Sequence, residues 1–422
     1  MFLAYRILTS LLYPFLLIFI FTRKYFNKEH QIRYKEKVFF SHFNVDRKDE
    51  TKLIWFHAAS IGEFKSIVPI IEELIKIDNI EILITTTTLS SGNLAEKIYK
   101  NFDKIHHRFI PLDVNFLIER FFKEWRPFRI ILVDSEIWPN LILKAKKNNI
   151  PLALINARLT KKTFRRWMRF PNTAKKIFNI FDLCLASNNE TKDYLKKLDA
   201  KNVYFNGNIK LINKIDEKKI NNLNSNFLSS RRFWLAASTH KGEELFSLKV
   251  HKKIKEKYED IVTILVPRHI DRSKEIFDLS NSLNLKTQLL NEGEIISDEK
   301  EIIIINSFNI LENYFKYTKS VFIGKSLLKE LKSDSGQNPI DAAKLRCRIY
   351  HGPYVYNFEE IYEILRKNNI ARKIESLEDL SSNLINDLES PFKKETKISN
   401  QIEILEQKTF EETMKNLNNF IK

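Results

Sequence analysis

The chain is poor in glycine: 8 of 422 residues, against roughly 30 at an average usage of about 7%. In such a composition the remaining glycines are expected to serve positive φ or close backbone approach, although ordinary turns account for some of them. All but Gly293 fall at a predicted strand end or in a loop entering a helix. Cysteine is equally sparse. Cys184 and Cys347 stand far apart and form neither a metal nor a disulfide pattern, which suits a reducing compartment. There is no G-x-G-x-x-G and no Walker A sequence, so a dinucleotide fingerprint and a P-loop are excluded. No D-x-D pair and no His/Cys cluster with ligand spacing occurs either. The expectation is a metal-independent reaction with no bound cofactor.

What is present is basic. Lys and Arg number 70 against 53 Asp and Glu, a formal net charge of +17. Nucleic acid, an anionic membrane surface and anionic substrates are the partners such a balance suits. Nucleic acid is the weakest of the three, because cations interleaved with aromatic residues occur in one segment only, 164–170. The amino terminus favours a membrane. Ile7 to Phe21 is apolar apart from Thr9, Ser10 and Pro14, shorter than the roughly 20 residues that span a bilayer. No small-x-small cleavage site follows. Arg23, Lys24, Lys28, Arg33, Lys35 and Lys37 come next, as on the cytoplasmic side of an anchor. An uncleaved anchor over 1–30 with a cytoplasmic body is therefore expected, either spanning or lying in one leaflet.

From residue 52 onward, short apolar strands alternate with amphipathic runs, the pattern of doubly wound parallel sheets. Predicted strands are 52–57, 80–86, 129–135, 152–157, 183–187 and 203–207, then 233–238, 261–267, 286–290, 301–306, 320–324 and 348–352. The polar stretch 209–230 reads as a linker between a domain at 31–208 and a second at 231–398. A last helix at 399–422 is expected to pack back on the first domain. Two Rossmann-like α/β domains in tandem imply a cleft at the carboxyl ends of both sheets.

Several strand ends carry chemistry. HAASIGEF (57–64) sets His57, Ser60, Gly62 and Glu63 on one strand-to-helix turn. A structural glutamate at a helix start is the plain reading, and the helix dipole is expected to lower its pKa. DSEIWPNLI (134–142) puts Glu136 at a strand end. LAASTHKGEE (235–244) offers Ser238, Thr239 and His240 before a helix, an arrangement suited to an anion or to simple capping. VPRH (266–269) adds Arg268 and His269. Asn338 precedes Pro339 at a helix start, with Asp341 in its first turn. From Arg158 to Arg169 there are six cations and no acid. Phe164, Trp167 and Met168 follow helical spacing there, for core packing or for a membrane face.

Taken in order, HAASIGEF, DSEIWPNLI, INARLT (155–160), GNIK (207–210), AASTHKGEE, VPRH, GKS (324–326), GQNPIDAA (336–343) and GPYVYNFEEI (352–361) resemble the 3-deoxy-D-manno-octulosonic acid (Kdo) transferases of lipopolysaccharide synthesis. The resemblance covers nearly the whole chain. It implies a GT-B fold and an inverting, metal-free transfer of Kdo from CMP-Kdo to a lipid A precursor at the inner membrane. By the same resemblance Glu63 is the general base and Glu136 a second acid needed for activity. Ser238, Thr239 and His240 would hold the donor phosphate, Pro267, Arg268, His269 and Gly324 would line the CMP side, and Asn338 and Asp341 would lie near the ribose. Ser60 and Gly62 fall on the acceptor side. Arg158, Lys161 and Lys162 are candidates for acceptor phosphates on their charge alone. The chain departs from the family pattern at NSFNIL (306–311), where an acid and Gly-Glu are usual, at Asp341 in place of glutamate, and at GKS in place of G-G-S.

Overall fold

The computed structural model describes residues 2–43, 51–213, 215–307, 310–330, 335–389 and 396–422. Phe308 and Asn309 of NSFNIL, and residues 331–334 after GKS, lie outside that set. Two compact units divide the chain, one of Met1–Asn213 with Glu406–Lys422 and one of Lys214–Leu405.

The first unit is built on seven parallel strands: β1 (Lys52–His57), β2 (Ile80–Thr86), β3 (Ile105–Phe109), β4 (Arg129–Val133), β5 (Leu152–Ala157), β6 (Leu183–Ala186) and β7 (Val203–Phe205). They are ordered β3-β2-β1-β4-β5-β6-β7. β1, β2 and β5 are buried along almost their whole length, as continuous apolar runs in a sheet covered on both faces must be. β3 was not predicted, because IHHRF sets three polar residues between its apolar ends and buries only alternate positions. One layer of core packs around Trp55, Phe121 and Trp125, the other around Phe56, Phe64 and Ile84. Met414, Leu417 and Ile421 of the last helix, Thr396–Ile421, belong to the second of these layers. Ile209 and Ile212 do too, so GNIK is part of the first unit and the connection expected from 209 begins at 214. Apolar residues in that stretch hold it against the sheet.

The second unit repeats the plan with β8 (Phe233–Thr239), β9 (Val262–Pro267), β10 (Thr287–Leu290), β11 (Ile302–Ile305), β12 (Ser320–Ile323), β13 (Arg348–His351) and β14 (Ala371–Lys373). The order is β10-β11-β9-β8-β12-β13-β14. β14 is a three-residue edge strand with two exposed positions, too short and polar to show in the sequence. In each sheet the strand order reverses centrally, between β1 and β4 and between β8 and β12, and the second sheet reverses again at its edge, where β11 lies between β9 and β10. In such sheets the central reversal opens a crevice where ligands bind. The ends of β1, β4 and β8, which carry Glu63, Glu136 and the Ser238–His240 run, flank these two points, whereas Arg158, Lys161 and Lys162 follow β5 one strand away.

Helices Phe2–Leu11 and Tyr13–Tyr25 precede the first sheet and meet at 54°. Among the described residues no single helix is long and apolar enough to cross a membrane. One side of the pair is held by the unit itself: Tyr5 donates to Asp113 (3.0 Å), Tyr13 to the Val38 carbonyl (2.6 Å), and Ile20 is buried. The other side exposes Leu3, Leu8, Leu11, Phe15, Ile18 and Phe19. Asp113 also accepts from the backbone N–H of Asn140 and Leu141, at 3.0 Å each, in the first turn of helix Pro139–Lys147. The cationic run behind the helices is less exposed than its sequence suggests. Lys37 is buried against Glu29, and Arg33 pairs with Glu36 at 2.7 Å.

A buried carboxylate fastens the second sheet to its covering helix, Leu377–Glu389. Asp387 accepts from Ser320 Oγ (2.5 Å) and the Tyr350 hydroxyl (2.6 Å), and pairs with Arg348. Asp387→Asn replaces an acceptor by a donor facing these groups. The expected cost is about 1–3 kcal/mol, read as an earlier transition in urea denaturation.

Candidate active site

At the end of β1 the chain turns through Ala58 and Ala59 into helix Ile61–Leu74. Ser60 is the N-cap, accepting from the Glu63 N–H at 3.4 Å. Glu63 folds back: one carboxylate oxygen accepts from the Ala59 N–H (2.7 Å), the other from the Ser60 hydroxyl (3.0 Å). This is a capping box in all but the exact partner, so the structural reading of Glu63 is correct as far as it goes. It also fixes the carboxylate in one place, and each oxygen keeps a second acceptor direction.

Beside it, at the end of β4, two further carboxylates converge. Asp134 adopts a left-handed conformation (φ 64°) and pairs with Lys210 of GNIK at 3.1 Å. Glu136 accepts from the Trp138 indole at 2.8 Å and faces His57 Nε2 at 3.2 Å. His57 is fully buried, with Nδ1 3.0 Å from the Thr85 hydroxyl, which also receives the Trp55 indole N–H at 2.8 Å. At the end of β5, Asn156 is also left-handed (φ 51°) and accepts from the Ile209 N–H at 3.1 Å. Burial raises the Glu63 pKa above the ordinary glutamate value, and the charges of Asp134 and Glu136 raise it further. The bonds from Ala59 and Ser60 pull the other way. The expected lowering by the helix dipole is thus overturned: loss of water and two neighbouring anions outweigh the N-terminal N–H groups.

The basic segment after β5 resolves its own ambiguity. Phe164 stacks on Tyr194 (4.2 Å between rings) and Trp167 meets Phe178 edge-on (5.3 Å), so these two pack on the unit's core. Met168 is exposed. Lys161 and Lys162 stand exposed at the start of helix Lys161–Trp167. Arg158 is half-buried, and its backbone joins the Asp134–Ser135 turn, donating to the Asp134 carbonyl (3.3 Å) and accepting from Ser135 Oγ (2.7 Å).

In the second unit the corresponding strand ends gather cations. Ser238 is left-handed (φ 55°), and its carbonyl lies 3.2 Å from His240 Nδ1. The His240 and His269 rings meet edge-on at 5.6 Å. Burial lowers the His240 pKa, and the charges of Lys325, His269 and Arg268 lower it further, against a raising bond from Ser238. Arg268 and His269 are exposed, while Pro267 is buried at the end of β9. Thr239 differs from a solvent-facing ligand: it is fully buried and its Oγ1 has no hydrogen-bond partner among the described residues. Asn338 caps its own short helix, accepting from the Ile340 N–H at 3.1 Å, and Asp341 is half-exposed in that helix's first turn.

Sequence reasoning missed the residue that holds these loops. Glu243, fully buried, accepts from four backbone N–H groups: His240 (3.0 Å), Lys325 (2.7 Å), Ser326 (2.9 Å) and Leu327 (3.0 Å). Gly324 is glycine because a Cβ there would come within 2.6 Å of this carboxylate and 2.7 Å of the Ser238 carbonyl. Asp134, Asn156 and Lys210 were missed as well, although all three lie inside quoted motifs. Glu243→Gln turns an NH2 toward N–H donors it cannot accept from. It is expected to destabilise the chain by about 1–3 kcal/mol, measured as a lower Tm.

Comparison with known proteins accords with this geometry. A family profile described as 3-deoxy-D-manno-octulosonic-acid transferase matches residues 32–213. The 3-deoxy-D-manno-octulosonic acid transferase of Haemophilus influenzae is 30% identical over 318 residues, 74% of this chain and 73% of that one. A probable mitochondrial transferase of the same name from Arabidopsis thaliana is 30% identical over 380 residues, 86% and 82% of the two chains. Among solved structures, a glycosyltransferase from Rickettsia africae superposes with a TM-score of 0.56 at 13% identity, covering 88% of this chain and 98% of that one. It shares the fold, the GT-B architecture of two parallel-sheet α/β domains. With a left-handed Asp134 and a half-buried, doubly held Glu63 at its first switch point, the chain belongs to the 3-deoxy-D-manno-octulosonic acid transferases, and it is a glycosyltransferase.

Proposed function

We propose that the chain transfers Kdo from CMP-Kdo to a hydroxyl of a lipid A precursor, with inversion at the anomeric carbon and without a metal. The observation that carries this reading is Glu63, held by Ala59 and Ser60 and made more basic by burial and by Asp134 and Glu136. The acceptor oxygen attacks the anomeric carbon of Kdo, the bond from that carbon to the phosphate oxygen breaks, and CMP departs. Glu63 takes the acceptor's proton, which makes the alcohol nucleophilic as the bond forms. Arg268 and Lys325 supply positive charge for the departing phosphate. Their cluster contributes that charge from side chains, and in the first unit the acids are already engaged: Asp134 by Lys210, Glu136 by Trp138 and His57. The reading therefore needs no divalent cation and no cofactor.

The exposed apolar side of the N-terminal helices fits insertion into one leaflet, with the body on the cytoplasmic face of the inner membrane. The exposed Lys161 and Lys162 suit the phosphates of an acylated acceptor or an anionic surface.

The test is transfer in detergent from CMP-Kdo to lipid A precursor. Glu63→Gln is expected to lower turnover about a hundredfold or more, and chelation by EDTA to leave it unchanged. The base works when deprotonated and its pKa is raised. The wild-type rate should therefore fall as pH drops through a value above the usual glutamate range, a limb that Glu63→Gln abolishes. A wild-type chain that transfers nothing would sink the reading, and a fully active Glu63→Gln would sink the base assignment.

A further inference from the structure

Trp55, Thr85 and His57 form one file of hydrogen bonds that ends on Glu136, and the places of its protons follow from what each group can give and take. All three are fully buried, so their polar atoms must satisfy one another. The Trp55 indole can only donate, and it donates to Thr85 Oγ1 at 2.8 Å. The Thr85 hydroxyl proton then points elsewhere. Two acceptors are in reach, the Phe56 carbonyl at 3.4 Å and His57 Nδ1 at 3.0 Å, and the nearer is the histidine. The Thr85 carbonyl also lies 3.1 Å from Nδ1, but the Ala58 N–H already satisfies it at 3.0 Å. On the far side of the ring, Nε2 faces Glu136 Oε2 at 3.2 Å.

We infer that Thr85 is a positioning residue: its hydroxyl donates to His57 Nδ1, fixes the neutral ring with its proton on Nε2, and so makes His57 a donor that holds Glu136 beside Glu63. This rests on the proposed transfer and deepens it. The two other proton arrangements fit worse. A ring with its proton on Nδ1 would turn a bare Nε2 to the Glu136 carboxylate, lone pair against lone pair. Only a proton on Glu136, and the loss of its charge, would mend that contact. A doubly protonated ring would bury a charge. Both arrangements leave the Thr85 hydroxyl only its long contact to Phe56. In the inferred one every proton of the file has an acceptor, and the bond at one ring nitrogen sets the role of the other. His57 and Trp138 then both donate to Oε2 of Glu136, which fixes the carboxylate from two sides. Glu136 acts on Glu63 through its charge, alongside Asp134. A displaced Glu136 therefore alters the base without touching it.

Thr85→Val keeps the shape of the side chain and removes the hydroxyl. The His57 ring is followed by nitrogen NMR of isotope-labelled histidine, its signal assigned by its loss in His57→Gln. At neutral pH the wild-type ring should carry its proton on Nε2, and in Thr85→Val the proton should move to Nδ1, facing the Thr85 carbonyl. Transfer from CMP-Kdo to the lipid A precursor, measured below the Tm of each chain, should fall about tenfold or more in turnover, with acceptor KM little changed. Thr85→Ser keeps the hydroxyl and should restore both spectrum and rate. A merely structural threonine would change Tm without moving the ring proton. A wild-type ring protonated on Nδ1, or on both nitrogens, overturns the inference, and so does Thr85→Val with wild-type turnover; the transferase reading survives either result. A wild-type chain that transfers nothing overturns the transferase reading and this role with it.

Discussion

A carboxylate drawn out of water at a strand end must be met by hydrogen-bond donors, and both units meet that demand with a glutamate in the first turn of the helix after the central strand. The degree of satisfaction separates their roles. Glu243 takes four backbone N–H groups and ties the ends of β8 and β12 together. Its lone pairs are occupied, so it is a brace. Glu63 takes one N–H and one hydroxyl, and burial beside two other acids raises its affinity for a proton. The same device, less filled, leaves a carboxylate with open acceptor directions, as the proposed transfer requires.

Around these glutamates the backbone is bent into conformations that ordinary residues avoid. Asp134, Asn156, Ser238 and Lys325 all have positive φ, a small cost at each. Three of the four are held by their surroundings. Lys210 holds Asp134, the Ile209 N–H holds Asn156, and Glu243 binds the Lys325 N–H. GNIK is therefore a clamp on two strand ends, which is why it packs with the first unit.

The alternation of strands and helices was legible because parallel strands covered on both faces are plain apolar runs. β1, β2 and β5 begin and end where the sequence indicates. β3 and β14 were not legible, since a half-buried strand of histidines and a three-residue edge carry no such signal. Among site residues, Glu63 and Glu136 were visible through their motifs. Glu243 was not, because E-E after a glycine also reads as ordinary helix-start acid, and only the fold brings the 325–327 backbone to it. The direction of the Glu63 pKa was misjudged for a related reason. A dipole can be inferred from a helix start, but the acids gathered by a neighbouring strand cannot.

Asp113 gives the N-terminal helices a role beyond attachment. The carboxylate that receives the Tyr5 hydroxyl also receives the Asn140 and Leu141 N–H groups, two to five residues beyond Trp138 and Glu136. Removing the first 25 residues to obtain a more tractable protein would therefore strip a partner from the acid that sets the start of helix Pro139–Lys147. A shortened chain that works poorly would report on that missing hydroxyl as much as on the loss of the proposed lipid contact, and the two become separable only when Tyr5→Phe is studied in the intact chain.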